Sequence, residues 1–152
     1  MEFKLLRTNS DDKDFQKLVI KLDQELRIRD GDDHEFYAQF NSIQSLKQVI
    51  VAYQGSMAVG CGAIKEFDLQ TMEVKRMFVL THYRAQGIAT LMLLALEDWT
   101  RELGFDYCIL ETGLKQPEAI QLYTKNNYER IPNYGPYTDI QDSVCFKKKL
   151  NG

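Results

Sequence analysis

The chain has 152 residues, a length that suits one domain with a core of two or three layers. Its 44% hydrophobic and 27% charged residues are ordinary for a globular protein, and a net charge of −3 gives no general attraction to nucleic acid or anionic membranes. No apolar run approaches the roughly 18 residues of a membrane span, and no signal-peptide segment is recognisable. We therefore expect a single cytoplasmic domain over residues 1–152, without nucleic-acid or membrane partners.

The three cysteines indicate the same compartment. Cys61, Cys108 and Cys145 are far apart and lie in apolar runs, with no CxxC pair and no His cluster nearby. Buried reduced thiols are the expected state, and no bound metal is expected.

The first half of the chain begins with one strand and one helix. Residues 3–7 are predicted as a strand, and 11–29 as an amphipathic helix that starts near Ser10, Asp11 and Asp12. Its apolar residues recur at helical spacing: Phe15, Leu18, Val19, Leu22 and Leu26. The segment "HEFYAQF" (34–40) suggests further helical turns.

Three strands are predicted next, at 47–53, 56–67 and 71–80, and the short polar breaks between them indicate an antiparallel meander. Gly60 and Gly62 inside the second strand indicate a bulge or a close backbone approach.

The second half alternates helices and strands. Helices are predicted at 87–103 and 117–127, with Gly104 ending the first and Pro117 starting the second. Strands are predicted at 106–112, 128–131 and 143–150. This order predicts an α/β fold, a mixed sheet of six or seven strands with helices on both faces and its parallel part within 71–112.

The stretch "HYRAQGIATLMLLALEDW" (82–99) places Gly87 where a strand gives way to a helix. Free amides and the positive end of the helix dipole make such a junction an anion site, and a side chain at 87 would hold a phosphate away. Ala89 is small for the same reason, and Arg84 adds positive charge. The segment fits neither the P-loop nor the GxGxxG pattern, but it fits [R/Q]xxGx[G/A] as "RAQGIA" (84–89). The alternative is a glycine that merely eases the turn.

Four segments together resemble the Gcn5-related N-acetyltransferase (GNAT) family. They are the strand "EVKRMFV" (73–79), the loop and helix "RAQGIATLMLLALEDW" (84–99), the strand "YCILETG" (107–113) and "QPEAIQLYTKNNY" (116–128) with its AxxxY pattern. The order of elements matches as well, so the resemblance covers nearly the whole chain and implies the acyl-CoA N-acyltransferase fold.

The resemblance implies acetyl-coenzyme A as the acetyl donor. Its pantetheine arm would pair with the backbone of Met77, Phe78 and Val79. Its pyrophosphate would lie on the loop formed by Arg84, Ala85, Gln86, Gly87, Ile88, Ala89 and Thr90. Gln116 stands where family members often have Asn, and its longer side chain leaves a direct pantetheine contact open. The resemblance also implies that the chain could form a homodimer.

Two catalytic roles need residues, because the acceptor amine must lose a proton and the leaving thiolate must be stabilised. For the thiolate we expect Tyr123, the Tyr of "AIQLY"; a core tyrosine is the alternative. For the amine we expect Glu73, whose spacing of eleven residues from Arg84 resembles that of the catalytic glutamate in histone-acetylating members. An ion pair with Lys75, a base role for Glu111 and a route through water stay open.

Arg76 and Lys75 could bind a substrate carboxylate or phosphate, or be solvated charges at a strand edge. Tyr134 and Tyr137 could wall the acceptor pocket or serve in packing.

The expected activity is acetyl transfer from acetyl-coenzyme A to a primary amine of a small molecule, by direct attack in a ternary complex. The alternatives are a non-catalytic acyl-CoA-binding module and an acetyltransferase for protein lysines or N-termini. The first alternative needs the loop but neither Tyr123 nor Glu73.

Overall fold

The computed structural model describes residues 2–30 and 46–150. Its three α-helices are α1 (Lys13–Asp30), α2 (Ile88–Glu102) and α3 (Pro117–Lys125). Its seven strands are β1 (Lys4–Thr8), β2 (Gln48–Gln54), β3 (Met57–Asp68), β4 (Thr71–Val79), β5 (Tyr107–Gly113), β6 (Glu129–Ile131) and β7 (Ser143–Lys149). The helical turns predicted at 34–40 lie outside the described residues.

All seven strands form one sheet in the order β1-β2-β3-β4-β5-β7-β6. The predicted meander is confirmed, since β2, β3 and β4 pair antiparallel in sequence order. The pair of β4 and β5 is parallel, and α2 makes the crossover between them. The predicted mixed sheet with its parallel part within 71–112 is therefore confirmed.

A helix covers each face of the sheet, as the sequence predicted. The apolar stripe of α1, with Phe15 and Leu18 among its buried members, packs on Val49, Cys61 and Phe78. On the other face, Met92, Leu93 and Leu96 of α2 pack on the opposite side chains of the same strands, such as Ile50, Val59 and Ile64. Because side chains alternate along a strand, the meander fills both cores at once.

The ends of the helices follow the local signals closely. The carboxylate of Asp12 accepts a 2.9 Å hydrogen bond from the Phe15 amide, so α1 starts two residues later than predicted. Gly104 has φ +90° directly after α2, and Pro117 is the first residue of α3. Helix α3 ends at Lys125, earlier than predicted, and Asn127 beyond it is left-handed at φ +72°.

A bulge in β4 accompanies the two glycines of β3. Cys61 pairs with Phe78 and Ala63 with Lys75, so Gly62 faces both Arg76 and Met77. A β-carbon on Gly62 would lie 2.5 Å from the Met77 sulfur, and one on Gly60 would lie 3.0 Å from a Met92 carbon. Both predicted features are present, the bulge and the close approach. Arg76 takes φ +58°, an uncommon conformation for a residue with a side chain.

The three cysteines are free and buried. Burial raises the pKa of Cys61 to about 12 and the pKa values of Cys108 and Cys145 to about 11. Within residues 2–30 and 46–150, no group of three or more potential metal-ligating side chains comes together. No helix in the same ranges is long and apolar enough to cross a bilayer.

Candidate active site

The parallel strands β4 and β5 separate in the middle of the sheet. Their register runs through three pairs and ends at Glu73 and Ile109, although β4 continues to Val79 and β5 to Gly113. The left-handed Arg76 and the bulge beside it lie just beyond that last pair. Because a bulge bends its strand, β4 turns toward β3 and leaves its other edge open.

A cavity of 680 Å³ occupies the opening between the two strands. It is lined by residues from α1, β4, the 84–90 loop, β5, α3 and the 3₁₀ turn Gly135–Tyr137. The structure brings together on this cavity twelve of the thirteen residues predicted for catalysis or cofactor binding, with Gln86 as the exception: Glu73, Met77, Phe78, Val79, Arg84, Ala85, Gly87, Ile88, Ala89, Thr90, Gln116 and Tyr123. The Gln86 side chain is directed to the carbonyl of His82 instead.

The loop before α2 presents main-chain amides. Gly87 precedes α2 at φ +83°, Ala85 is left-handed at φ +62°, and a β-carbon on Gly87 would meet nothing within 4 Å. Among the described residues, no main-chain acceptor is found for the amides of 85–90, and the next amide, that of Leu91, donates to the Gly87 carbonyl. Successive free amides at the positive end of a helix are an anion site. The backbone also agrees with the alternative, a glycine required only by the turn, because φ +83° itself favours glycine.

Arg84 is held by α1. Its guanidinium makes two hydrogen bonds of 3.0 and 2.7 Å to Glu25, while its Nε donates to the Val79 carbonyl at 2.9 Å. Glu25 also pairs with Arg29, which bonds Glu118 at the start of α3. Arg29 holds the pKa of Glu118 at about 2, so this carboxylate stays ionised at neutral pH. The ion pairs form a chain from the loop across α1 to α3.

Tyr123 reaches the cavity from α3. Its ring is 5% exposed and packs against Tyr128 and Phe146. Burial, and then the charge of Glu111, raise the pKa of its hydroxyl above the ordinary value. At neutral pH the hydroxyl is therefore a hydrogen-bond donor and a weak acid.

Glu73 lies at the point where the strands part. Its Oε2 accepts a 2.6 Å hydrogen bond from the hydroxyl of Tyr134, and its Oε1 lies 3.8 Å from Nζ of Lys75. The ion pair with Lys75 that the sequence offered as an alternative is thus present beside the cavity. Burial lowers the pKa of Lys75, and the charge of Glu73 partly opposes that shift.

Glu111, the alternative base, also lines the cavity from the β5 side and accepts a 2.7 Å hydrogen bond from Ser143.

From the sequence, Arg76 and Lys75 were predicted either to bind an acidic group of the substrate or to be solvated charges. The Arg76 side chain is only 1% exposed and forms an ion pair with Asp23 of α1 at 2.5 Å. It is therefore not a solvated charge at a strand edge.

Tyr123 and Glu73 belong to opposite faces of the sheet. Tyr123 packs in the core that α2 covers, with Val74 and Leu110. Glu73 alternates with Met72 and Val74 along β4, so its side chain is directed to the α1 face. Both residues line the opening between β4 and β5, so that side chains from the two faces of the sheet meet at one cavity.

Sequence reasoning missed two contacts here. Glu25 was one of several charges on α1, and nothing in its spacing pointed to Arg84. Tyr134 was predicted as a wall of the acceptor pocket or a packing residue, and its bond to Glu73 depends on how β6 and β7 return the 132–142 loop to the site.

The open parallel pair, the amide-lined loop and the crossover helix define an acyl-CoA N-acyltransferase fold. A Klebsiella pneumoniae protein described as an acyl-CoA N-acyltransferase superposes with a TM-score of 0.83 at 27% identity, covering 98% of each chain. A GNAT family acetyltransferase from Elizabethkingia anophelis, solved with acetyl-CoA bound, has a TM-score of 0.71 at 16% identity and covers 97% of each chain.

The sequence profile of the acetyltransferase (GNAT) family matches residues 15–128. An IAA acetyltransferase from Azospirillum brasilense is 33% identical over 143 residues, which are 89% of this chain and 92% of the relative. An uncharacterized N-acetyltransferase of Bacillus subtilis, YsnE, is 29% identical over 65% of this chain and 67% of its own length. The chain belongs to the GNAT acetyltransferase family.

Proposed function

We propose that the protein transfers an acetyl group from acetyl-coenzyme A to a primary amine of a small molecule, with both substrates bound together. The observation that carries the proposal is the opening between β4 and β5, which joins the amide-lined loop on one side to Glu73 on the other. The family and the acetyl-CoA bound to the Elizabethkingia protein support the choice of cosubstrate.

The residues around the opening fit this cosubstrate. The amides of 85–90 are available for the pyrophosphate, and the space in front of Gly87 is open. Met77, Phe78 and Val79 line the cavity beyond the last β4–β5 pair, where the pantetheine arm could take the place of a paired strand. Acetyl-coenzyme A would supply the acetyl group as a thioester.

Two side chains serve the two roles, removal of the amine proton and stabilisation of the leaving thiolate. Glu73 accepts the proton of the incoming amine, directly or through water, because an alkyl amine with a pKa of about 10.4 is protonated at neutral pH. Tyr123 donates a hydrogen bond to the sulfur that leaves. A phenol has a higher pKa than a thiol, about 10 against about 8.5, and burial raises the pKa of Tyr123 further, so the hydrogen bond is favoured over complete proton transfer.

A small acceptor suits the surroundings of Glu73. The side chain is only 14% exposed, with Lys75, itself 11% exposed, beside one oxygen and the Tyr134 hydroxyl bonded to the other. Charged groups from α1 and α3 meet across the cavity in the Arg29–Glu118 pair. An amine on a compact molecule can enter such a site more easily than one on a folded protein surface.

The test is a screen of amines and amino acids, with lysine peptides and N-terminal peptides as a second panel, for release of coenzyme A thiol. We expect turnover with members of the first panel. Turnover only with peptides would assign a protein acetyltransferase. Tight binding of acetyl-coenzyme A without turnover on either panel would leave a binding module.

A further inference from the structure

We infer that Tyr134 is a positioning residue for Glu73, whose carboxylate it orients toward the acceptor amine through a hydrogen bond. The inference rests on the proposed function, because it assigns the base role to Glu73. It gives a role to a residue of the 132–142 loop that the sequence predicted as a pocket wall or a packing residue.

The contact between Tyr134 and Glu73 is a hydrogen bond to one specific oxygen. The hydroxyl of Tyr134 donates to Oε2 of Glu73 at 2.6 Å, in the range of hydrogen bonds to a charged acceptor. Lys75 lies 3.8 Å from the other oxygen, Oε1. With one oxygen bonded and the other near a cation, the carboxylate has a defined orientation at the edge of the opening.

The Tyr134 ring is fixed on two sides. It meets the ring of Phe67, at the end of β3, edge to face with centroids 5.1 Å apart, and the ring of Tyr137 with centroids 5.8 Å apart. Both contacts use the ring and not the hydroxyl. Phenylalanine at 134 can therefore keep the packing and lose only the hydrogen bond.

The hydrogen bond has a predictable effect on acidity. Burial, followed by the charge of Glu73, raises the pKa of Tyr134, so its hydroxyl remains a donor throughout the neutral range. A donor to a carboxylate favours the ionised form, which is the form that accepts a proton. Without the donor, the ionised carboxylate loses one stabilising bond at Oε2, so the acidic limb of the pH–rate profile should move to higher pH.

The experiment compares kcat/KM for the acceptor against pH, at saturating acetyl-coenzyme A, in the wild type and Tyr134→Phe. We expect the acidic limb to move up by about one pH unit, which corresponds to the loss of one hydrogen bond to a charged group. We also expect the plateau to fall about 10-fold, because the carboxylate is no longer held in its orientation. Ionisation of the acceptor is the same in both enzymes, so the difference reports the protein.

Tyr53→Phe is the matched control. It removes another tyrosine hydroxyl that bonds a carboxylate, that of Asp14 at 2.7 Å, and it does not line the cavity. Its acidic limb should coincide with that of the wild type. A loss of stability alone would give both variants the same profile.

A double mutant shows whether Tyr134 acts through Glu73. In a Glu73→Gln background, Tyr134→Phe should change the rate less than 2-fold, because the group that it positions is gone. An unmoved acidic limb, or a full additive loss in that background, would overturn the positioning role while Glu73→Gln still tests the base. If Glu73→Gln itself leaves the profile unchanged, the proposed base is wrong instead.

Discussion

The carboxylate of Glu25 in α1 accepts two hydrogen bonds from the guanidinium of Arg84, at 3.0 and 2.7 Å. The sequence predicted Arg84 as a positive charge for a phosphate at the loop before α2. In the folded chain that charge is already partly compensated. A pyrophosphate on the loop amides would therefore compete with Glu25 for the same guanidinium.

Glu25→Gln should tighten the binding of acetyl-coenzyme A by about 3- to 10-fold. The substitution removes the competing negative charge and frees Arg84 to face the pyrophosphate, a gain that added salt should diminish. Calorimetric titration at two salt concentrations measures both effects. Glu102→Gln is the control, since it removes the partner of Arg7 outside the cavity. Weaker binding in Glu25→Gln would mean that the ion pair holds the loop in its binding shape.

Gly87→Glu should abolish binding of acetyl-coenzyme A in the same titration. The new side chain brings bulk and negative charge to the open space before α2, where the pyrophosphate is expected. Gly104→Glu is a close control, because Gly104 has φ +90°, open space around it and no part in the cavity. Both variants place a side chain at a left-handed position, with a similar backbone strain of about 1 to 2 kcal/mol. Equal affinities for the two would contradict the pyrophosphate assignment.

Tyr123→Phe should keep the affinity for acetyl-coenzyme A and lower kcat by about 10- to 1000-fold, the range of assistance to a leaving group. The ring contacts with Tyr128 and Phe146 survive the change, so only the hydroxyl is tested. The measurement is kcat with an acceptor for which chemistry limits the rate. Wild-type turnover under that condition would make Tyr123 a packing residue.

Glu73→Gln should lower the rate at neutral pH and recover part of it at high pH, where more of the amine is already neutral. Glutamine keeps the size of the side chain and its hydrogen-bonding capacity but cannot take the proton. Glu111→Gln, on the facing strand, is measured in parallel. If only that variant shows the high-pH recovery, the base is Glu111. If Glu73→Gln merely lowers the melting temperature, its ion pair with Lys75 is structural.

Lys148→Met should destabilise the domain by about 3 kcal/mol. Glu97 of α2 is 1% exposed, and its carboxylate is bonded by Nζ of Lys148 at 2.8 Å and by the Tyr128 hydroxyl at 3.0 Å. Removing the cation leaves a buried charge without its counterion. Denaturant unfolding measures the loss, and a matching change at Lys149, which is not part of this network, should cost under 0.5 kcal/mol.

The sequence by itself determined the element order, the meander, the crossover helix and the loop "RAQGIA". These depend on periodicity and on residues such as Gly87, Gly104 and Pro117, whose effects are local to the backbone. It also selected the residues of the cavity, since twelve of its thirteen site residues line it. Local chemistry and the family's motif were enough for that part.

Only the tertiary structure decided which of those residues act on one another. The pairs Arg84–Glu25 and Glu73–Tyr134 join positions 59 and 61 residues apart in the sequence. Local sequence patterns do not predict contacts between residues so far apart. The opening between β4 and β5 depends on Arg76 and Met77 bulging opposite Gly62, which is a property of strand register. Register and long-range pairing are set when both cores close around the sheet, because one-residue slips would turn buried side chains outward. For that reason the sequence could choose the residues of the site but not their partners.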